Sequence, residues 1–234
     1  MKLTIPHDAR YEIKFVAYEH RLPALLTWIK SHWAVFRSPY PERWVNSIYF
    51  DTYNYHSFLE NLSGASARIK VRYRWYGRDV KIDKGTLEVK CKRNYFGWKL
   101  NYKVATSPYA DGNQWRDTLA SIRSQISGEG WYWIEKHPMP IFINQYYRKY
   151  FVSHDERVRI TVDTHQNVWD QRFKPSPNFL HKTNLPKTVV VELKFHRNDQ
   201  EYAAEVIQGM PLRVSRHSKY ITGVRSMRGM GMRG

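Results

Sequence analysis

Cysteine is nearly missing from this chain. Cys91 is the only one in 234 residues, which excludes an intrachain disulfide and a thiolate metal cluster. Long apolar runs are absent as well. No stretch of about 20 apolar residues offers a membrane span, and the opening MKLTIPHDARYEIKF lacks the apolar segment of a signal peptide. Acidic residues are scarce, with 21 Asp+Glu against 38 Lys+Arg, so the formal net charge is +17. The 10 histidines show no metal-ligand spacing such as HExxH, most of them are expected at the surface, and there is no internal repeat. The expectation is a cytoplasmic, soluble chain whose partner is a polyanion: nucleic acid, nucleotide, phosphate chain or anionic surface. Aromatic residues, by contrast, make up 15% of the chain and hydrophobic residues 42%, which argues for a folded domain with a substantial core.

The stretch 67–103, ARIKVRYRWYGRDVKIDKGTLEVKCKRNYFGWKLNYK, alternates with period two. Lys70, Arg72 and Arg74 share one parity, with Ile69, Val71, Tyr73 and Trp75 on the other. After an expected turn at 83–85, Glu88, Lys90 and Lys92 again oppose Leu87, Val89 and Cys91. Successive strand side chains point to opposite faces, so pairing the two strands gathers their cations on one surface. Like charges facing one another on a sheet are destabilising, so such a surface calls for a counter-charge. The same one-sided charge recurs at Glu12 and Lys14, at Arg157 and Arg159, and at Glu192 and Lys194. An equally consistent arrangement puts the apolar parity outward under helices and the charges inward. Buried like charges persist only where they bind an anion or pair with carboxylates.

In order, strands are expected at 10–17, 45–52, the central pair, 96–105, 141–152, 158–164 and 188–195. Helices are expected at 20–33, 53–61, 114–126, 202–208 and 215–227, with loops at 108–112 and 128–140 and a surface loop or short hairpin at 167–185. The fold class is α+β, mainly antiparallel, with about eight strands closing into a barrel with a basic lumen and flanking helices. Residues 1–9 read as a leader, 10–226 as a single domain, and 227–234 as a Gly/Met-rich disordered tail.

Phosphate chemistry suits such a lining. Arg offers a bidentate fork and Lys a compact charge, and phosphoryl transfer usually engages Mg²⁺ or Mn²⁺ on hard oxygen ligands. Glu12, Glu88 and Glu192 are the carboxylates on the basic parities.

Taken together, YEIKF at 11–15, SIYFDT at 47–52, VRYRWYG at 71–77, LEVK at 87–90, YRKYF at 147–151, VRITVDT at 158–164, VELKF at 191–195 and RHSKY at 216–220 carry a resemblance. The chain resembles the catalytic domain of the VTC-type polyphosphate polymerases, within the triphosphate tunnel metalloenzyme (CYTH-like) superfamily. That resemblance implies an eight-stranded tunnel that is an ATP–polyphosphate phosphotransferase, moving the terminal phosphoryl group of ATP onto a growing polyphosphate and releasing ADP. Lys14, Arg72, Arg74, Lys90, Arg148, Arg159 and Lys219 match the catalytic and phosphate-holding positions. Lys103, Tyr147, Arg216 and Ser218 match further substrate positions. Glu192, with Glu12, matches the site of a catalytic Mn²⁺ or Mg²⁺.

The partners so implied are ATP and polyphosphate or triphosphate, with no direct membrane span and room for a membrane partner subunit. The oligomeric state stays open. The first strand has Glu12 but lacks the fuller ExExK run, which favours the polymerase branch. Hydrolysis of triphosphate or short polyphosphate in the same tunnel remains an alternative, as does a non-catalytic polyphosphate-binding module. Specific nucleic-acid binding ranks low, because the aromatics fall mostly on the parity opposite the cations.

Overall fold

In the computed structural model, which describes residues 5–7, 9–78, 84–105, 112–180 and 182–227, the alternating stretches pair into a closed barrel of antiparallel strands. The strands are β1 (Arg10–Tyr18), β2 (Arg43–Asp51), β3 (Ala67–Tyr76), β4 (Gly85–Arg93), β5 (Phe96–Val104), β6 (Met139–Val152), β7 (Val158–Asp170) and β8 (Thr188–His196). They run around the barrel in the order β1-β5-β4-β3-β2-β6-β7-β8. Among the described residues, six helices lie outside or beneath it: α1 (Leu22–Lys30), α2 (His56–Ser63), α3 (Trp115–Ser124), α4 (Gly128–Lys136), α5 (Gln200–Val206) and α6 (Lys219–Met227). Among the described residues no helix is long and apolar enough to cross a membrane.

The expected parity decides which face looks inward. Val71, Tyr73, Trp75, Leu87, Val89 and Cys91 point outward and are covered by Trp115, Leu119, Ile122 and Ile134 of α3 and α4. On the far side, Phe15, Val189, Val191, Leu193 and Phe195 point outward beneath Leu25 and Ile29 of α1 and Ala203 and Val206 of α5. Each such buried aliphatic or aromatic side chain contributes about 1.5–3 kcal/mol, so the shell outside the barrel is what holds it closed. The charged parity is thereby left to the lumen.

Antiparallel pairing fixes two ends. Arg43, Tyr76, Gly85, Val152, Arg159 and His196 lie toward one mouth, and Asp51, Ala67, Met139 and Thr188 toward the other. The second end is filled. Tyr49 and Phe142 meet Tyr220 and Val224 of α6 and Phe58 of α2 in a third apolar cluster. Asp51, fully buried, receives the Ser57 and Phe58 amides at 2.9 and 3.0 Å and the Tyr220 hydroxyl, tying β2, α2 and α6 together. Closure is slimmest between β1 and β5, where the register is Arg10 opposite Gly97.

Three elements differ from their sequence expectation. The stretch 128–140, read as a loop because of its glycines, begins with α4. Gly130 is buried there against the Tyr102 ring, where an added Cβ would sit 2.8 Å from ring carbons, so glycine serves packing and not a turn. β7 runs to Asp170, six residues past its apolar pattern, because its pairing with β6 continues beyond a bulge near Gln145 and Tyr147. α6 starts at Lys219, and residues 215–218 approach as extended chain, the Ser215 amide donating to the Lys14 carbonyl at 2.8 Å. His32 and His137 are the buried histidines among the described residues. His32 is held between the Ala34 amide and the Val206 carbonyl, and burial pushes both imidazoles below the usual histidine range. Residues 1–4 and 8 of the expected leader, 83 of the first turn, 108–111 of the next, and 228–234 of the tail lie outside the described residues.

Candidate active site in the barrel lumen

Because every strand turns its charged parity inward, side chains distant in sequence meet in one narrow lumen. Its open volume is about 50 Å³, and among the described residues nine cations line it: Lys14, Lys70, Arg72, Arg74, Lys90, Lys99, Arg148, Lys194 and Lys219. Tyr49, Tyr146, Tyr220 and Ser218 complete the wall, with Glu192 among the cations. Arg72, Arg74, Arg148 and Lys219 are each less than a tenth exposed. Unpaired charges at such depth would cost several kcal/mol each. The lumen offsets this with four carboxylates.

Glu88 takes Arg72 Nε at 2.6 Å, Lys99 at 3.4 Å and Arg74 at 3.6 Å. Asp163 receives Arg148 through two nitrogens, at 2.5 and 2.7 Å, and Lys219 at 2.5 Å. Glu192 faces Lys194 at 3.2 Å, Lys14 at 3.4 Å, Lys219 at 3.8 Å and Arg148 at 3.9 Å. Glu12 lies 3.0 Å from Lys14, 3.2 Å from Lys90 and 3.6 Å from Lys194.

Burial raises the pKa of each carboxylate, and the neighbouring cations overcome it. Glu12, Glu88 and Glu192 are held well below the ordinary carboxylate value and Asp163 below it. For Lys14 and Arg72 burial acts downward, yet Glu12 and Glu192 for the first, and Glu88 for the second, raise them above their usual range. The surplus cations go the other way. Lys70 donates to the Ser218 hydroxyl at 3.0 Å; burial first, then Lys90, Lys14 and Arg68, push it well below the ordinary lysine value. Lys99 is lowered to about 6 by burial and by Arg72 and Arg74. Lys90, drawn upward by Glu12 but lowered by burial, Lys14 and Lys194, ends at about 8. The lumen is thus a cationic channel whose charge is only partly neutralised from within.

The structure brings together Lys14, Arg72, Arg74, Lys90, Arg148, Glu192, Ser218 and Lys219 at the lumen wall, with Glu12 beside them. Arg159 and Lys103 lie on lumen-facing positions, opposite Lys194 and Thr86, but are exposed toward the mouth and do not line the cavity. Tyr147 lies on the outer parity of β6, its ring 5.3 Å from that of Trp44. The tyrosine facing inward is Tyr146, whose hydroxyl takes Arg74 at 3.1 Å. Arg216 lies beyond the filled end, lining a separate cavity of about 130 Å³ with Val16, Thr188 and His217. Sequence reasoning gave no role to Lys70, Lys99, Asp163, Lys194 and Tyr49. Parity places the first four on lumen positions, whereas Tyr49 reads as one more apolar residue of β2.

A divalent cation asks for hard oxygens. Among the described residues no group of three or more His, Cys, Asp and Glu stands at metal-holding separation. Glu12 and Glu192 do flank a single ammonium, that of Lys14, and so share one cation position. This fits an ion that shares a carboxylate or two with substrate phosphates, the usual manner for Mg²⁺, and does not form a protein-only cage.

A closed barrel with an arginine- and lysine-lined lumen defines a class: a tunnel-fold protein with a cationic interior. The sequence matches the VTC domain family over residues 9–228, and the chain belongs to that family. Its members fall in the CYTH-like tunnel-fold superfamily, whose chemistry is phosphoryl transfer or phosphate-ester hydrolysis and is generally metal-dependent. No curated protein sequence matches the chain. Among solved structures, it is similar to the putative adenylyl cyclase HpAC1 from Hippeastrum, described as having a dominant triphosphatase activity. That likeness has a TM-score of 0.52 at 10% identity, over 94% of this chain and 95% of the other. A putative adenylate cyclase from Vibrio parahaemolyticus is similar at TM-score 0.51 and 12% identity, over 92% and 97%. At these identities the likeness is one of fold.

Proposed function

We propose that the lumen binds a linear triphosphate or short polyphosphate and cleaves its terminal phosphoanhydride, with water as the acceptor. The observation that supports this is the imbalance, among the described residues, of nine lining cations against four carboxylates in a channel too narrow for a bulky anion. Arg72, Arg74 and Arg148 hold non-bridging oxygens, and Lys14, Lys90 and Lys219 neutralise charge as the bridging bond breaks. Glu192, with Glu12, would hold Mg²⁺ or Mn²⁺ against the phosphates; the ion supplies a Lewis acid for the oxygens that gain charge. The lumen's own ion pairs rearrange on binding, with lysines turning from carboxylate to phosphate. The triphosphatase activity ascribed to HpAC1 supports hydrolysis in a barrel of this shape. Arg159 and Lys103, at the mouth, would guide the chain inward.

Membership of the VTC family favours a second reading, transfer of the terminal phosphoryl group of ATP to polyphosphate with release of ADP. The two share the lumen and differ in what reaches the phosphorus. A cytosolic setting belongs to either reading.

Incubation with ATP or inorganic triphosphate and Mg²⁺ or Mn²⁺, followed by ³¹P NMR, tests both. Orthophosphate release establishes hydrolysis; ADP with long-chain polyphosphate and no orthophosphate establishes transfer. Folded protein that consumes neither substrate rules out both.

A further inference from the structure

Among the described residues, eight of the nine lumen cations face a carboxylate, and Lys70 does not. Lys14, Lys90 and Lys194 meet Glu12, Arg72, Arg74 and Lys99 meet Glu88, and Arg148 and Lys219 meet Asp163. The partner of Lys70 is the Ser218 hydroxyl, at 3.0 Å. Across the β3–β4 register Lys70 stands opposite Lys90, so a second cation faces it and not an anion. Burial, then Lys90, Lys14 and Arg68, with Glu12 opposing them, hold its pKa well below the ordinary lysine value. A buried lysine of this kind gives up its proton readily and offers a lone pair to its neighbour.

Ser218 sits where the lumen stops. It directly precedes α6, whose Tyr220 packs with Tyr49 and Phe142 to fill that end. Its Oγ accepts the Ile221 amide at 3.3 Å, so it caps the helix and lies at the positive end of the helix dipole. Lys14 lies against the same turn, donating to the His217 carbonyl at 3.0 Å. Two tyrosine hydroxyls also belong to this end, but that of Tyr220 donates to Asp51 and that of Tyr49 accepts from Arg72. Along β3 the inward positions run Lys70, Arg72, Arg74 toward the mouth, each step about 6.7 Å. A phosphate chain that enters from the mouth and is held by the two arginines brings its terminal phosphorus to Lys70 and Ser218. Its leaving oxygen then lies on the mouth side. In-line displacement needs the acceptor on the opposite side, which is the filled end.

We propose that Ser218 is the first acceptor of the terminal phosphoryl group, becoming phosphoserine, with Lys70 as the base that takes its proton. This rests on the lumen being the phosphate-chain site proposed above. The bond from Ser218 Oγ to phosphorus forms as the bond from that phosphorus to the bridging oxygen breaks. The hydroxyl proton passes to Lys70 Nζ, and the bridging oxygen leaves as the new terminus of the shortened chain. Water then attacks the phosphoserine. Oγ leaves and recovers its proton from Lys70, and orthophosphate departs with the oxygen and both protons of the water. A terminal phosphate beside Lys70 draws its lowered pKa back toward the range in which one group both takes and returns a proton. Phosphoserine at a helix N-terminus, with lysines beside it, is favoured in the interval.

Incubation with inorganic triphosphate and Mg²⁺, acid quenching and peptide mass spectrometry provide the test. Where no label accumulates, the steric course at phosphorus, read from an isotopically chiral γ-thiophosphate of ATP, decides instead. A phosphoryl group on Ser218, or retention of configuration after two displacements, is the expected result. Ser218→Asn keeps the helix cap but accepts no phosphoryl group, whereas Ser218→Thr keeps cap and hydroxyl. Label and turnover are lost in the first and retained at position 218 in the second, which a capping role alone would not produce. Lys70→Met slows labelling by about a hundredfold with Ser218 in place. Cleavage with inversion and an unlabelled Ser218 overturns the proposal and leaves the proposed function standing. So does Ser218→Asn that turns over at the wild-type rate. Label without release of orthophosphate keeps Ser218 as acceptor and removes water. If nothing is cleaved and nothing is labelled, both readings fall.

Discussion

Arg148 and Asp163 stand opposite one another in the β6–β7 register and are joined through two nitrogen–oxygen contacts of 2.5 and 2.7 Å, with Asp163 fully buried. Lys219 completes the arrangement from the first turn of α6, 2.5 Å from the same carboxylate. Removing one partner of a buried pair leaves the other charge without compensation, typically at about 3–5 kcal/mol. Asp163→Asn is therefore expected to lose about 3 kcal/mol in denaturant titration. Inorganic triphosphate should recover more stability in the variant than in the wild type, because it replaces the missing negative charge. A variant as stable as wild type would show that Asp163 does not hold the lumen together.

Glu192 receives four cations at once, three lysines and an arginine. Glu192→Gln keeps the shape and releases those cations to the ligand. Triphosphate binding should tighten by about tenfold while metal-dependent turnover is lost, a separation of affinity from rate that a merely structural role would not produce. Titration calorimetry and ³¹P NMR on one preparation decide it. Weaker binding together with retained turnover would remove Glu192 from the metal position.

The barrel was legible because its two faces are written with opposite chemistry. Ile69, Val71, Tyr73 and Trp75 against Lys70, Arg72 and Arg74 state both the strand and its orientation. Glu192 and Lys194 do the same on β8. What escaped depends on contacts distant in sequence. Nothing local tells that Gly130 lies under the Tyr102 ring, so α4 reads as a loop. Asp163 is one acidic residue in a β-rich run until Arg148 and Lys219 arrive beside it. Tyr147 could not share a face with its neighbour Arg148, and there parity alone contradicted the motif match.

The lysines lowered by burial set a pH dependence. Lys99 at about 6 and Lys90 at about 8 carry fewer protons in the folded protein than in the unfolded chain, where lysine titrates near its ordinary value, about 10.4. The unfolded state binds more protons between those limits, so this contribution to stability rises with pH from about 6 upward. A bound phosphate chain returns both lysines to their charged forms. Binding should therefore take up protons, and affinity should fall as pH rises through about 6 to 8. Calorimetry in buffers of differing ionisation enthalpy reads the proton count directly. No uptake across that interval would show that neither lysine faces the ligand.

Gly223 carries the position of Lys219 from a distance of one helical turn. It lies where α6 crosses Phe142, and a Cβ there would fall 2.5 Å from the ring's Cζ, closer than atoms pack. Phe142, Tyr49 and Tyr220 stack with ring centres 4.9 to 5.7 Å apart, so the ring has little room to retreat. Overpacking of this kind typically costs about 1–3 kcal/mol, released here by tilting α6 out of the barrel end. Gly223→Ala should accordingly lose stability of that size and shift Ser218 and Lys219 off the lumen wall. The rate constant for triphosphate cleavage should then fall by more than the affinity, since Arg72, Arg74 and Arg148, anchored on strands, still hold the chain. Tyr220→Phe separates the two effects: it removes the hydroxyl that binds Asp51 without touching the Phe142 contact. Equal losses of rate and affinity in Gly223→Ala would mean that α6 supports the barrel as a whole and has no particular part in placing Lys219.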